Sequence, residues 1–381
     1  MIWVIALKEL RGLLRDTRVR LATCALLSLT VVTAIAGSQR HHRFEAEQEE
    51  HEKRSRAAWN SQGPRHPHTA AHFGLYLYEP HGNLATIDPG LTPYLGRAVW
   101  LEAHNQNTMK YRPVEDAPAI AAYAGSAIAT ILQCIVPLFI IVLGFGAFAG
   151  ERDSGTLRQL LVAGASPRAL LLGKTLGIAF VLAVVNAPIL ILAVGSVLTQ
   201  SSSTDAFGRA CMMAAAYALY FYTVLMLTIA VSARSMHGRG ALVSLLAGWL
   251  VVTVLVPRVA ADVADYRAPI PSAAAFWTAI DADLQRDGGL EARVKNLEAR
   301  TLTAYGVDRR EDLPIEFEGL ALDEDEKHHN EVFDVRYRDL FDKYRQQERT
   351  YESFGLAAPF FERSPFVHDA GGVGARIAPR L

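Results

Sequence analysis

Phe145-Gly-Ala-Phe-Ala-Gly-Glu151-Arg152-Asp153-Ser154-Gly155-Thr156-Leu157-Arg158-Gln159-Leu160-Leu161-Val162-Ala163-Gly164-Ala165-Ser166-Pro167-Arg168 is a short polar interruption between two long apolar runs. Before it, residues 117–150 hold no charged side chain, and after it residues 175–204 hold none either. A bilayer core about 30 Å thick is crossed by roughly 20 apolar residues in helical form, so each run is long enough to span. The interruption then lies at one membrane face. Its own pattern is amphipathic: Leu157, Leu160 and Leu161 share one face of a helix, and Arg158 and Gln159 point elsewhere. Asp153 or Ser154 can cap its start and Gly164 its end, and Ser166-Pro167 restarts a helix with proline at the first position.

Working outward, the chain reads as an all-α polytopic membrane protein with α-rich regions outside the bilayer. The apolar runs give five spans, at 21–37, 120–148, 175–198, 210–232 and 240–257. Residues 1–20 precede the first. There Trp3, Leu7, Leu10 and Leu14 form one stripe and Lys8, Arg11, Arg15 and Arg18 another, the pattern of a basic helix lying among lipid headgroups. A solvated helix packed on another subunit fits the same stripes. Lys and Arg concentrate in 1–20, in the 149–174 loop and in the 233–239 loop, whereas the 199–209 loop carries only Arg209, at its end beside the fourth span. Basic loops stay cytoplasmic. The expected N-terminus is therefore cytoplasmic, with 38–118 and 258–381 outside. Ala34-Ile35-Ala36 resembles a leader cleavage site, but the long charged leader and the four further spans favour a retained anchor.

Composition agrees. The chain is 51% apolar and 20% charged with a net charge of −1, and no basic face with interleaved aromatics appears, which excludes a nucleic-acid partner. Its three cysteines, Cys24, Cys134 and Cys211, fall inside apolar runs, which argues for buried thiols and against a disulfide framework. The tail has helical repeats at Leu290, Val294 and Leu297 and at Phe333, Tyr337, Leu340 and Tyr344. Asp323-Glu324-Asp325-Glu326 is placed just before the last helix, where negative charge suits the positive end of the dipole.

Glu151-Arg-Asp-Ser-Gly-Thr-Leu-Arg-Gln-Leu-Leu161, then Ser166-Pro-Arg168 and Gly173-Lys174, resembles the loop between the second and third spans of ABC-2 type transporter permeases. A second block, Pro67-His68, His72-Phe73-Gly74, Asp88-Pro89-Gly90, Tyr94 to Gly96 and Trp100 to Asn107, is similar to a subgroup with a large extracytoplasmic insert after the first span. The resemblance covers about residues 1–355. It implies a permease subunit in a bacterial inner membrane, working as a dimer or with a homologous permease, together with an ABC ATPase dimer. ATP and Mg²⁺ would sit on that partner and no cofactor on this chain. It also implies that Glu151, Arg152, Thr156, Leu157, Leu160 and Leu161 form the coupling helix that enters a cleft of the ATPase. A sixth span is implied as well. The Gly-rich end after Phe354 contains none, so the C-terminus reads as truncated.

Enzyme signals are weak. Gly173-Lys174-Thr175 echoes a phosphate-binding loop, but Arg168 stands where that loop needs its first glycine. No G-x-S-x-G or H-E-x-x-H occurs. The first loop holds His66, His68, His72, His81 and His104 with Glu102. His68, His72, Glu102 and His104 form a candidate metal or ligand cluster, because imidazoles four apart share a helix face and bind zinc or copper. A helix started by Pro67, with its histidines hydrogen-bonded inside the loop, is the alternative. Within the spans Pro137, Asn186 and Pro188 can bend helices and line a path, or simply pack. A membrane-anchored binding or sensor protein and a membrane metalloenzyme fit the same sequence less fully.

Overall fold

The computed structural model describes residues 1–78, 84, 87–88, 98–103, 106–107, 127–200 and 204–355. The region 356–381, on which the expectation of a missing sixth span rests, lies outside them, as do His81 and His104. Among the described residues five helices are long and apolar enough to cross a membrane: Thr17–Asn60, Ile128–Asp153, Pro167–Leu192, Phe207–Arg234 and Gly238–Arg267. The chain is almost wholly helical and is a multi-pass membrane protein. It divides into two compact units, one of Met1–His51, Glu79–Arg97 and Tyr111–Arg258, the other of Glu52–Tyr78, Ala98–Lys110 and Val259–Leu381.

The first unit is a bundle of apolar helices. α1 (Ile2–Arg15) stops where Asp16 turns extended, with its carboxylate accepting from the Arg18 N–H at 2.8 Å. α2 (Thr17–Asn60) then runs far beyond the apolar stretch that ends at Gly37. Its second half, rich in Glu, Lys, Arg and Ala, consists of strong helix formers, with His41 and Glu45 paired one turn apart at 3.1 Å. The second apolar run is broken into α4 (Ala127–Thr130), a π turn (Ile131–Ile135) and α5 (Val136–Gly144). Pro137 explains the break. It has no N–H for the Gln133 carbonyl, and Tyr220 supplies the missing donor from another helix, its hydroxyl 2.7 Å away. The next carbonyl, Cys134, accepts from the Trp249 indole at 3.2 Å. Gln133 donates to the Tyr217 hydroxyl at 3.2 Å, and Tyr217 donates to Asp88 at 2.7 Å. α8 (Pro167–Gln200), α9 (Thr204–Arg234) and α10 (Gly238–Leu250) complete the unit. A second π turn (Val251–Leu255) leads into α11 (Val256–Arg267), again just before a proline, Pro257.

The second unit holds α3 (Pro67–Ala71), a two-stranded antiparallel hairpin of β1 (Leu75–Tyr78) and β2 (Ala98–Leu101), and three long helices. These are α12 (Ala273–Leu284), α13 (Gly289–Tyr305) and α14 (Phe317–Gly355). Phe276 and Ile280 of α12 pack against Phe333 and Tyr337 of α14, two residues of the repeat read in the sequence. The acidic run 323–326 does not precede the last helix; α14 begins at Phe317 and the run lies inside it. Its charges answer α13 instead of the helix dipole: Asp325 meets Arg293 at 3.3 Å and Glu324 meets Arg300 at 3.6 Å.

Candidate functional site

The turn between the second and third apolar runs is bonded to four other helices of the first unit. α6 (Ala149–Asp153) presents three consecutive charged residues, and each binds a different element. Glu151 accepts from Lys8 of α1 and Lys174 of α8, both at 2.9 Å. Lys174 also reaches Glu9 of α1 at 3.1 Å, and its side chain is only 1% exposed. Its ammonium lies 5.6 Å from the centre of the Phe148 ring. A lysine so buried is tolerated because two carboxylates and an aromatic face replace its water. The second carboxylate oxygen of Glu151 is buried and meets no hydrogen-bond donor among the described residues.

α1 comes close enough to make these pairs because α8 offers glycine at two positions one turn apart. A methyl group added at Gly173 would lie 2.6 Å from the Ile5 side chain, and one at Gly177 would lie 2.9 Å from the Ala6 carbonyl. The Gly173-Lys-Thr-Leu-Gly177 segment is thus a small-xxx-small packing face, with the buried cation between its glycines. The resemblance of Gly173-Lys174-Thr175 to a phosphate loop has this structural origin.

Arg152 donates to the Ala233 carbonyl at 2.9 Å and to the Ser235 carbonyl, at the end of α9, where carbonyls lack helical partners. Asp153 accepts from the Gly238 N–H at 2.7 Å and pairs with His237 at 2.8 Å, so it caps α10. The expectation that Asp153 or Ser154 caps the amphipathic helix is therefore corrected. Gly155 in left-handed conformation (φ 74°) precedes α7 (Thr156–Val162), whose N-terminus has no side-chain cap. Ser232, fully buried, fastens the approach: it donates to the Phe145 carbonyl at 2.7 Å and accepts from the N–H groups of Phe148 and Ala149.

α7 ends as the sequence predicts, on Gly164 (φ 88°). Ala165 N–H bonds the Leu160 carbonyl and Gly164 N–H bonds the Leu161 carbonyl, a Schellman closure. Ser166 then accepts from Ala169 N–H at 3.2 Å, starting α8 with Pro167 at its first position. Leu157 and Leu160 are half-buried, whereas Leu161 is 45% and Val162 82% exposed, beside exposed Arg158 and Gln159. Thr156 is half-buried, its hydroxyl 3.3 Å from the Glu151 carbonyl. Glu151 and Arg152 face inward and hold the turn. The apolar surface left outside is Leu161 and Val162.

The other expected sites differ in kind. His68 and His72 face each other with their Nε2 atoms 3.1 Å apart. Glu102 accepts from Asn107 at 3.1 Å, and His104 lies outside the described residues. Among the described residues no group of three or more His, Cys, Asp or Glu is arranged to hold a metal ion. Pro137 is fully buried at the π turn. Asn186 donates to the Leu182 carbonyl at 2.9 Å, while its buried Oδ1 finds no partner among the described residues, two positions before Pro188.

Apolar helices joined by a polar, internally clamped turn define a polytopic membrane protein. The comparison with protein families names the family: residues 3–281 match ABC-2 family transporter protein, and the chain belongs to it. It is a membrane permease of an ABC transporter, and the family implies an ABC ATPase as partner. Residues 273–372, which include α12, α13 and α14, match a domain of unknown function (DUF3526). None of the curated proteins matches the chain.

Proposed function

We propose that this chain is the permease subunit through which a separate ABC ATPase dimer drives movement of a substrate across the bacterial inner membrane, with α7 as the element the ATPase pushes. A second permease copy or a homologous permease completes the assembly. One observation carries the reading: Glu151, Arg152 and Asp153 tie the base of α7 to α1 and α8, to the end of α9 and to the start of α10, while Leu161 and Val162 stay exposed at its tip. A push on the tip is thus delivered to four helices at once. Leu157, Leu160 and Thr156 seat the helix on its own loop; the docking contacts fall to Leu161 and Val162, with Arg158 and Gln159 beside them. Chemistry on ATP and Mg²⁺ belongs to the partner.

This reading puts the N-terminus and α7 in the cytoplasm, following the basic loops. α1 then lies at the headgroups, with Trp3, Leu7 and Leu14, all largely exposed, toward lipid, Arg11 and Arg15 toward phosphate, and Ile5 and Ala6 buried inward. In cysteine-substituted chains an impermeant thiol reagent should label position 61 and not position 166 in intact cells; the reverse overturns the orientation.

Docking is tested by co-purifying the cognate ATPase with wild type and with a Leu161→Asp, Val162→Asp double variant at equal expression. Burying a leucine contributes about 1.5–3 kcal/mol, so the double variant should weaken the contact at least about tenfold. Equal retention of the ATPase would show that α7 is not the docking element.

A further inference from the structure

We propose that His68 and His72 form a two-imidazole site for a divalent transition-metal ion of the copper, nickel and zinc group. The proposal is independent of the transport reading and rests on the geometry of α3.

The Nε2 atoms of the two rings point at each other across 3.1 Å. An imidazole nitrogen sits about 2.0–2.1 Å from such an ion, so two nitrogens on one ion lie roughly 2.9–3.4 Å apart for angles between square and tetrahedral. The observed separation falls within that range, so a turn of the two rings brings both nitrogens onto one ion. The rings meet at 75° with centres 4.7 Å apart.

Local structure holds the pair in place. Pro67 starts α3, and the Nδ1 of His66 accepts the His68 N–H at 3.2 Å, fixing the first turn. Four residues on, His72 falls on the same face. The Ala71 carbonyl accepts the Ala103 N–H at 3.2 Å, tying the end of α3 to the residues after β2. His72 is exposed and His68 half-buried, so an ion can enter from solvent. The nearby cation is turned away: Arg65 donates to the Gln62 carbonyl at 2.7 Å and lies 5.9 Å from the centre of the Phe73 ring.

The protons balance simply. In the neutral pair one Nε2 carries the hydrogen and the other accepts it. When an ion binds both Nε2 atoms, the donor ring moves its proton to Nδ1 through water, and no net proton is released. Among the described residues these two imidazoles are the protein ligands, and water can fill further positions on the ion. Imidazole ligation and the Irving–Williams order make Cu²⁺ the strongest occupant, ahead of Ni²⁺ and Zn²⁺.

The test uses the full chain, purified in detergent without a histidine tag, stripped with EDTA and titrated with Cu²⁺. One equivalent should bind with an electron paramagnetic resonance signal split by two nitrogens. His68→Gln and His72→Gln should each weaken that binding at least tenfold and remove the two-nitrogen pattern, while His51→Gln leaves both unchanged. Since the His72 ring is exposed, its variant should also keep the wild-type melting temperature. The proposal is overturned if the wild-type chain takes up no copper, or if either of the two variants binds it as tightly as wild type. In that event the two histidines are a hydrogen-bonded pair that shapes the loop and no more.

Discussion

Two ion-pair sites of this chain, Lys174 with its carboxylates and Arg300 with Glu324, set a cation against carboxylates of a neighbouring helix, and they do so at opposite levels of burial. At the Glu151 turn, Lys174 is 1% exposed and its partners Glu9 and Glu151 are 15% and 14% exposed. Between α13 and α14 the outer pair, Arg300 and Glu324, is 68% and 35% exposed, whereas Arg293 and Asp325 beside it are 16% and 20% exposed. An exposed pair keeps most of its water and contributes little beyond about 0–1 kcal/mol. A buried cluster has given up that water, so each charge depends on its partners being in place. The first kind leaves two helices free to adjust. The second admits one arrangement of α1, α6 and α8. That is what a turn which transmits a push must have, and what an exposed pair such as Arg300–Glu324 does not supply.

Removing one cation from each region separates the two cases. Lys174→Met takes the buried cation from Glu9 and leaves Glu151 with Lys8 alone, and should cost about 3–5 kcal/mol. Arg300→Met should cost less than about 1 kcal/mol. Thermal unfolding of the detergent-solubilised chain reads both. Replacing the whole cluster (Glu9→Gln, Glu151→Gln and Lys174→Met together) should recover much of the lost stability, since apolar or neutral groups often substitute for a buried ion network. A Lys174→Met chain that melts with wild type would mean the cluster is hydrated and the comparison is wrong.

The five long apolar helices, the turn between two of them, the restart at Ser166-Pro167 and the stop at Gly164 were legible in the sequence, because each depends on neighbours within a few residues. What sequence reading missed depends on partners far along the chain. Asp153 looks like a local cap, but it serves Gly238, 85 residues away. Lys174 looks like a basic loop residue that marks the cytoplasmic side; only the approach of α1 onto Gly173 and Gly177 buries it. Those two glycines, four apart and flanking a lysine at the start of an apolar run, were the available signal, since small residues at that spacing let helices meet closely. The run 323–326 misled in the same way: its acidity suits a helix start, yet Arg293 and Arg300 on α13 explain it better. Helix propensity was the overlooked signal past Gly37, where charges suggest a loop but Glu, Lys, Arg and Ala carry α2 on to Asn60. The inward aim of Glu151 and Arg152 had no local sign at all.

A pair of intermediate burial should give an effect between these two, with a pH signature. Asp283 at the end of α12 accepts from Arg336 of α14 at 2.6 Å and also from Arg286. Its side chain is 13% exposed and that of Arg336 32%. The hydrogen bond from Arg336, aided by the charges of Arg336 and Arg286, holds the Asp283 carboxyl below its ordinary value. A depressed folded-state value means the carboxylate stabilises the fold above the unfolded value, about pH 3.9, and that this stability is lost as pH falls from there through the folded value. Asp283→Asn should therefore lower the hydrogen-exchange protection of the α12 amides at pH 7. The gap between variant and wild type should close progressively below about pH 4, once exchange is corrected for its intrinsic pH dependence. The effect should stay smaller than that of Lys174→Met, because water reaches Arg336. A gap of equal size at pH 7 and in acid would show that Asp283 acts through shape and not through its charge. The contrast between the two regions would then have to rest on the Lys174 cluster alone.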